Sequence, residues 1–535
     1  MSVTGITAAE VLRDHVTLEV ESIDRMYLNM YVPRLQMVGS VVNFFREHRG
    51  ESMATGKRMS EMTVAFRAEV DRFVDRGDIP VVHFEKKQKK DAVMAERLRR
   101  FERPEGVIFL GVAQEKTRCM RTIQRKTSSG RSYPWIVDGT AMVNHYYFYC
   151  LDQDFGPFFL KFCTYFPYNA KLCINGHEYL KRQLQKRGIA YEALDNGIRQ
   201  CDDPATLQKI SDELSPEKID AFFRKWLKRL PHPFTKHDHD AGYCYELSIW
   251  QAEFSLTQVL DRPLHGRIFF DQVIRENLDL GRPDQIQLLF HRRIPRRTRA
   301  AFRTRVVTEG VTPSLHVHYK RTHLKQYFKE GRALRTETTI NETRDFGVGR
   351  SLSNLPALRK IGFTANRRLL DVERISHDCT IGQETFEQLG RPITVGEQRI
   401  PSLPFHNHRV QALFAILSLF VIQAADGFRA NEFRSLLAQL LGLDPAQLTP
   451  GRVSYDLRRL RLRGLIERIP RTFRYRVTPL GLRTAIFYSR VYTRILRPGL
   501  STLDPVRSPS APLARAVAKL QNTIDTLVDT VKLAA

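Results

Sequence analysis

The segment from 406 to 500 carries the most constraining pattern in the chain, because helix and hairpin signals follow one another there without a gap. Gly442 and Gly464 are typical stop residues for helices, and Thr449-Pro450 is a typical helix start. Apolar residues at helical spacing and one alternating stretch define the elements between these signals. The predicted elements are, in chain order, helices over 407–425, 430–441 and 451–463, a hairpin over 465–477 and a helix over 478–496.

The third of these helices has an apolar side and a cationic side. Val453, Leu457 and Leu460 recur at i, i+4 and i+7 and predict the buried side. Between 452 and 497 there are 13 arginines and 2 acidic residues. The residues that we predict to contact DNA lie opposite the buried side, at its flank or on the hairpin: Arg452, Tyr455, Arg459, Arg463, Arg471, Arg474 and Arg476.

In pattern and length, this segment resembles winged helix-turn-helix DNA-binding domains. The resemblance implies that the third helix enters the major groove, where arginine pairs with guanine edges. It also implies that the hairpin contacts the phosphate backbone or the minor groove. The alternative for the same fold is a domain that contacts other proteins.

The net charge favours a polyanionic partner. The chain has 84 Lys and Arg against 58 Asp and Glu, a formal net charge of +26, which attracts nucleic acid first and anionic membrane next. We expect duplex DNA, with single-stranded DNA or RNA as alternatives. The first 21 residues contain acidic side chains where a signal peptide needs an apolar stretch, and no apolar run approaches about 20 residues, so we expect a cytoplasmic protein without a membrane partner.

The alternation of patterns predicts a multidomain α+β protein with a mixed or antiparallel sheet and a C-terminal winged helix domain. Seven scattered cysteines favour reduced thiols rather than a zinc ribbon. A short apolar stripe at 513–531 either packs back on the body or forms a homodimer. The predicted regions are 1–105 with a basic edge, 106–400 (sheet 106–176, helices 177–280, basic strands 285–345), 401–500, and a linker with a short helix over 501–535.

A basic track and three strands follow in the centre of the chain. The run from 291 to 305 holds seven arginines and no acid, and we predict that Arg292, Arg293, Arg296, Arg297 and Arg299 contact DNA phosphates. Alternation in the three strands that follow places chemically active side chains on shared faces. These sets are His316 and His318, then Lys325, Tyr327 and Lys329, then Arg335, Glu337 and Thr339.

Two histidines, a carboxylate and a tyrosine between lysines are the parts of a metal-assisted strand-nicking site. Tyr327-Phe328-Lys329 followed by Leu334-Arg335-Thr336-Glu337 is similar to the pattern of plasmid rolling-circle replication initiators and phage replication nickases. The resemblance implies a nicking fold whose glutamate, Glu337, binds metal, although Phe328 stands where the family has Asp. From the residue types, we expect His316, His318 and Glu337 to hold Mg²⁺ or Mn²⁺, and Lys325 and Lys329 to neutralise phosphate. We expect Tyr327 to be the nucleophile, and the match leaves Tyr319 as the alternative. The alternative is a non-catalytic regulator or architectural protein in which the same face only binds nucleic acid.

A second acidic set is Asp152, Asp154 and Glu178. A strand that ends in carboxylates and a later helix with a glutamate imitate a ribonuclease-H-like nuclease that holds two metal ions. The alternative is a turn and a first helical turn, where acids are favoured without any ligand. The aromatic run Tyr146–Tyr149 allows two interpretations. It could form a platform on which RNA bases stack, or it could belong to a buried strand.

Overall fold

The structure is a computed structural model that describes residues 8–85, 88–276, 304–309, 312–329, 331–377, 381–420, 428–470 and 472–492, with 519 and 523. The chain divides into two compact units. The large unit comprises Asp14–Arg267 with Arg299–Arg367, and the smaller unit comprises Arg368–Ala535 with Met1–Arg13 and Ile268–Thr298. The basic run over 291–299 and, apart from 519 and 523, the stripe over 513–531 lie outside the described residues.

The strands of the large unit belong almost entirely to one sheet. They are, in chain order, β1 (Val16–Tyr31), β2 (Val81–His83), β3 (Gly106–Lys126), β4 (Ser132–Asp152), β5 (Gly156–Cys163), β6 (Ala170–Asn175), β7 (Tyr191–Leu194), β8 (Gly197–Cys201), β9 (Glu246–Leu260), β10 (Thr304–Glu309), β11 (Thr312–Tyr319), β12 (Thr322–Lys329) and β13 (Ala333–Ile340). Eleven of them form a sheet in the order β10-β11-β12-β13-β9-β1-β6-β5-β4-β3-β2, and β7 and β8 form a separate hairpin. Only the β2–β3 pair is parallel among the described strands.

Two strands far apart in sequence lie side by side in the middle of this sheet. β1 pairs with β9 from Val16 opposite Leu260 to Tyr31 opposite Glu246. The first 105 residues therefore contribute a central strand to the sheet of the following region. β9 also corrects the helices predicted over 177–280. Every residue from Phe254 to Leu260 is buried, and a strand buried on both faces loses the period of two by which strands are predicted.

The two faces of the sheet differ in their covering. The helices described before residue 378 are α1 (Ala8–Asp14), α2 (Val38–Asn43), α3 (Gly56–Gly77), α4 (Lys90–Arg99), α5 (Gly176–Lys186), α6 (Pro204–Asp212), α7 (Pro216–Leu227), α8 (Lys236–Asp240), α9 (Pro263–Glu276) and α10 (Leu355–His377). The apolar face packs on α3 and α10, with Phe66 against Phe162 and Phe254 against Phe363. We call the opposite side, which carries Glu115, Lys161, Glu253 and Glu337, the polar face.

The smaller unit contains a helical bundle with a three-stranded sheet. Its elements are α11 (Gln383–Gly390), β14 (Ile393–Val395), β15 (Gln398–Ile400), α12 (His408–Phe420), β16 (Phe428–Arg429), α13 (Ala430–Leu441), α14 (Pro450–Leu462), β17 (Ile466–Arg468), β18 (Arg474–Val477) and α15 (Pro479–Val491). The sheet order is β16-β18-β17. One apolar core joins these elements, including Leu413 of α12, Leu437 of α13, Leu457 of α14 and Tyr488 of α15.

Local signals in the sequence account for the boundaries of these helices. The Thr449 side chain accepts a hydrogen bond from the backbone N–H of Arg452, and Pro450 occupies the first turn of α14. Gly442 ends α13 with a φ of 69°, a left-handed conformation that glycine adopts without a steric penalty. α13 and α14 therefore lie within one residue of their predicted bounds.

None of the helices in the described ranges is both long and apolar enough to cross a membrane. Cys119, Cys150, Cys163, Cys173 and Cys201 are buried free thiols, and Cys244 is a half-buried one. The predicted reduced cysteines are thus found at the six described positions.

Candidate functional sites

The three strands β11, β12 and β13 bring the predicted nicking residues to one face. His316 lies opposite Lys325, and Lys325 lies opposite Glu337. Antiparallel partners share a face, so the three side chains form a row across the polar face. Tyr319 lies on the other face, fully buried against Phe346. The register therefore places Tyr327, and not Tyr319, on the side that carries the histidines.

Tyr327 and Glu337 bind each other and belong to a buried network. The Tyr327 hydroxyl donates a hydrogen bond to Oε1 of Glu337 at 2.9 Å. Nε of Arg335 lies 2.6 Å from the same oxygen, and the Arg335 side chain is 0% exposed. Nη2 of Arg335 also forms an ion pair with Asp24. One cation is therefore shared between the carboxylates of Asp24 and Glu337.

The pKa values of the two carboxyl groups are shifted in opposite directions. Burial raises the pKa of Asp24, but the charge of Arg335 and the contacts with His177, Asn196 and Glu337 together outweigh it and bring the pKa to about 2. For Glu337 the effect of burial prevails and the pKa is raised, although Arg335 opposes it. Burial, with the Glu337 charge, also raises the pKa of the Tyr327 phenol. Burial thus makes Glu337 harder to ionise than a free glutamate, while Asp24 stays ionised and the Tyr327 phenol stays neutral at physiological pH.

His177 and Glu253 complete the surroundings of Arg335. Nη2 of Arg335 donates to Nε2 of His177 at 2.6 Å. Burial and the Arg335 charge lower the pKa of His177 to about 3, so the imidazole is neutral at physiological pH. Burial, with the charges of Asp24 and Glu337, raises the pKa of Glu253 to about 7. The sequence signals neither His177 nor Asp24 as a partner of Arg335, because they lie more than 150 residues away along the chain.

The histidines of β11 contact a third histidine that the sequence analysis does not include. Nδ1 of His316 lies 2.8 Å from Nε2 of His323, and the rings of His318 and His323 stack at 4.4 Å. Lys325 lies between this cluster and Glu337, with Nζ 4.2 Å above the Tyr327 ring. Lys329 lies 3.6 Å from Asp195. The face thus separates into an imidazole cluster and the carboxylate network of Arg335.

One other group has the donors for a metal ion. In the described ranges, His15, Asp261 and His265 form the only group of three or more His, Cys, Asp or Glu whose ligand atoms lie within 4.8 Å of one another. Nδ1 of His15 is 2.9 Å from Oδ2 of Asp261, and Nδ1 of His265 is 2.6 Å from Oδ1. Neighbouring ligands of an octahedral ion lie about 3 Å apart. Two imidazoles with a carboxylate suit Fe²⁺, Ni²⁺ or Zn²⁺ better than Mg²⁺, which prefers oxygen ligands.

The acids of the predicted ribonuclease-H-like site have protein partners. Asp152 accepts hydrogen bonds from the backbone N–H of Asp154 and Phe155, from Nζ of Lys225 and from Nε1 of Trp226. Asp154 forms an ion pair with Lys186, and Glu178 forms one with Lys181. The arrangement is that of a turn whose carboxylates hold neighbouring helices. The aromatic run 146–149 is likewise buried.

α14 exposes a cationic side, but its members differ in part from the prediction. Arg452, Arg458 and Arg461 are exposed, and Tyr455 is 47% exposed. Arg459 is only 12% exposed, since it bonds to the carbonyl of Ser402 and to Asp456.

Arg463, another predicted DNA contact, is used inside the smaller unit. It donates hydrogen bonds to the carbonyls of Gln388, Arg391 and Pro401. Arg459 and Arg463 therefore hold α14 to the segment 388–402. Helical spacing alone does not separate such flanking residues from the exposed ones.

The β17–β18 hairpin presents an aromatic tip. Phe473 is 83% exposed, and Cζ of Arg468 lies 5.5 Å from its ring centre. Nε of Arg476 donates to Glu467 at 2.7 Å, across the hairpin. Arg474 is half-buried. Arg471, and the predicted contacts Arg292, Arg293, Arg296, Arg297 and Arg299, lie outside the described residues.

A cleft on the polar face of the large unit is a site that the sequence analysis does not identify. It has a volume of about 1030 Å³. The cations that line it are Lys116, Arg118, Lys161, Lys171, Arg344 and Arg350, and its acids are Glu115 and Glu246. Burial and the nearby Lys161 charge lower the pKa of Lys171 to about 8. The strands that supply these residues are adjacent in the sheet but distant in the sequence.

No family model matches this chain, and we found no match to a curated protein or to a solved structure.

Proposed function

We propose that this protein binds duplex DNA, and that the smaller unit is a winged helix-turn-helix domain whose α14 enters the major groove. The observation that carries the proposal is the element order α12-β16-α13-α14-β17-β18 around one core, with an exposed cationic side on α14. A helix of this width fits the major groove, which is about 12 Å across.

The distribution of charge on α14 supports this role. Its acidic residue, Asp456, is buried and accepts hydrogen bonds from Arg409 of α12. The exposed side is thereby left with Arg452, Arg458 and Arg461, and Tyr455 lies among them. Arginine and tyrosine side chains suit contacts with guanine edges and phosphates.

The hairpin supplies the second contact of the proposed domain. Phe473 at its tip, beside Arg468, has the composition of minor-groove contacts, in which a cation approaches the phosphates and an apolar side chain wedges between bases. This composition supports duplex DNA as the partner of the hairpin.

The first test is duplex binding by a double variant of α14. We expect Arg458→Ala/Arg461→Ala to weaken binding to a selected duplex at least about tenfold, because each base-pair contact contributes about 1–3 kcal/mol. Fluorescence anisotropy of the full chain with a duplex selected from a random library measures the change. Arg391→Ala/Arg399→Ala is the matched control, since both residues are exposed and lie outside α14 in the same unit. An equal loss of duplex affinity in both double variants would show that only the net charge of the unit matters, and it would contradict the proposal.

A second candidate function is metal-dependent DNA nicking for replication or mobilisation of an element. The observation that favours it is that Tyr327, Lys325, Lys329, Glu337 and His316 share one face of three adjacent strands. In this role Glu337 must exchange Tyr327 and Arg335 for Mg²⁺ or Mn²⁺.

The nicking candidate is tested with supercoiled plasmid and Mg²⁺, Mn²⁺ or EDTA. We expect metal-dependent nicks with a covalent protein–DNA adduct that Tyr327→Phe abolishes. Retained duplex binding without any cleavage in the presence of either metal would leave DNA binding as the function and reject nicking. Loss of cleavage in His265→Ala, with an intact Tyr327, would place the metal at His15, Asp261 and His265 instead.

A further inference from the structure

The longest hairpin of the large unit extends beyond the sheet to which it belongs. β3 and β4 are paired continuously from Phe109 and Tyr149 to Lys126 and Ser132. β5 joins β4 only from His145 onward. The described part beyond this point, 114–126 with 132–144, is thus a two-stranded ribbon about 40 Å long. The part up to Thr122 and its partner Ile136 packs on the unit through Cys119, Met120 and Ile136, which are buried, while the tip beyond it is exposed.

The ribbon carries an uncompensated positive charge. From 116 to 137 there are six cations and no acid: Lys116, Arg118, Arg121, Arg125, Lys126 and Arg131. Arg118 pairs with Asp138, 2.9 Å away, and it is the one member of the set with an ion pair among the described residues. The other five cations are exposed and form no ion pair within the described part of the chain, which suits a polyanion.

One face of the ribbon adds aromatic rings to this charge. Ile123 lies opposite Trp135, and Arg125 lies opposite Tyr133, so all four side chains share a face. Trp135 is 42% exposed, and its ring meets that of Tyr133 edge to face at 6.2 Å. Cζ of Arg125 lies 4.6 Å from the Trp135 ring centre. Aromatic rings between arginines are the surface on which unpaired bases stack.

The ribbon is continuous with the cationic cleft. β3 contributes the run from Glu115 to Arg118 to the lining of the cleft. The strand then continues through Arg121 to Arg125 without a break in its register. Lys161 and Lys171, opposite each other on β5 and β6, extend the cationic lining across the sheet. Arg121 and Arg125 lie on the same face of β3 as Glu115, which contacts Lys161, so Arg121, Arg125, Lys161 and Lys171 lie along one path. Lys116 and Arg118 alternate with them and belong to the other face of the strand.

We propose that this path binds single-stranded nucleic acid, with bases stacked on Trp135 and Tyr133 and phosphates along Arg121, Arg125 and the cleft lysines. Unpaired strands fit better than a duplex, because the faces of paired bases are covered by their neighbours and cannot meet the exposed rings. The inference goes beyond duplex binding by the smaller unit and does not depend on it, since all its residues belong to the large unit.

The test measures the affinity of the full chain for a fluorescent (dT)₂₀, a (rU)₂₀ and a 20-base-pair duplex. We expect Trp135→Ala to weaken binding of (dT)₂₀ at least about fivefold, because stacking on one aromatic ring contributes about 1–3 kcal/mol. Trp135→Phe, which keeps an aromatic ring, is expected to recover most of the affinity. A stronger effect on (dT)₂₀ than on (rU)₂₀ would identify DNA as the natural strand, and the reverse would identify RNA.

A charge test uses two double variants with the same net charge. We expect Arg121→Gln/Arg125→Gln to lower the slope of log affinity against log salt for (dT)₂₀ by about 1.4, or about 0.7 for each lost phosphate contact. Arg72→Gln/Arg76→Gln on α3, where both residues are exposed, is the control and is expected to leave the slope nearly unchanged.

The outcomes separate this inference from the proposed function. If (dT)₂₀ binds wild type and Trp135→Ala equally, or if the ribbon variants lose only duplex affinity, the single-strand path is rejected. If Arg458→Ala/Arg461→Ala keeps full duplex affinity while Trp135→Ala loses (dT)₂₀, the ribbon inference holds and the winged helix proposal fails.

Discussion

The role predicted for Arg335 from the sequence differs from the role that its surroundings in the structure indicate. In the sequence it follows a strand pattern and lies two residues before Glu337, which suits a phosphate contact. In the structure it is fully buried and shared by Asp24, Glu337 and His177. Removing one partner of a buried charged network leaves an uncompensated charge, so these residues hold the strands together whatever else they do.

Glu253 gives this network a measurable pH dependence. Its pKa is raised from 4.5 to about 7 in the folded protein, first by burial. An acid with a raised folded pKa contributes stability that is present below about pH 4.5 and is lost as the pH rises through about 7. We therefore expect the free energy of unfolding of Glu253→Gln to rise relative to that of wild type by on the order of 3 kcal/mol as the pH increases from 4.5 to 8.

Urea unfolding of wild type and Glu253→Gln at pH 5 and pH 8 measures this difference. Glu384→Gln, an exposed glutamate of α11, is the control and is expected to show little change between the two pH values. If the gain of Glu253→Gln is the same at both pH values, Glu253 does not titrate in this range and the description of the network is wrong.

Exposure is the property of single residues that the sequence predicts least well. Tyr455 and Arg452 are exposed on α14 as expected, yet Arg459 and Arg463 at its flank bind protein carbonyls. Arg458 and Arg461 are exposed instead, and Arg458 also donates a hydrogen bond to Oε1 of Gln398. No feature of the sequence distinguishes one of these arginines from another. The carbonyl partners between 388 and 402 belong to a segment without a strong pattern, so these bonds cannot be anticipated.

At the scale of elements, Arg463 tests whether α14 is held by the segment that precedes α12. Its hydrogen bonds to Gln388, Arg391 and Pro401 join a charged donor to three carbonyls. Such bonds contribute about 1.5–3 kcal/mol. We expect Arg463→Ala to lower the free energy of unfolding of the smaller unit by about 2 kcal/mol, measured by urea denaturation. Arg461→Ala, which removes an exposed arginine two residues earlier, is expected to change it by less than about 0.5 kcal/mol. Equal stability of the two variants would instead favour a direct DNA role for Arg463.

The elements that the sequence predicts well are those with strong local signals. α13 and α14 have a capping residue, a proline or a glycine at their ends and a regular apolar stripe. β9 and the β3–β4 ribbon lack such signals. β9 is buried on both sides and shows no alternation toward its end. The ribbon alternates, but nothing local indicates that only half of it has a neighbouring strand, because strand order depends on pairing between distant segments.

For the whole molecule, the structure gives the net charge of +26 an uneven distribution. Exposed cations cluster on α14 in the smaller unit, and on the β3–β4 ribbon and its cleft in the large unit. The overall charge alone predicts only a polyanionic partner. Because the exposed cations lie on both units, we expect two nucleic-acid contacts. The contact at α14 prefers a duplex, and the contact along the ribbon prefers an unpaired strand.

The most direct measurement is the affinity of the full chain for a selected duplex, compared between wild type, Arg458→Ala/Arg461→Ala and Trp135→Ala at a fixed salt concentration. We predict that the α14 variant loses at least about tenfold in duplex affinity, while Trp135→Ala keeps wild-type duplex affinity. Unchanged duplex binding by the α14 variant would contradict the assignment of the smaller unit as the DNA-binding domain.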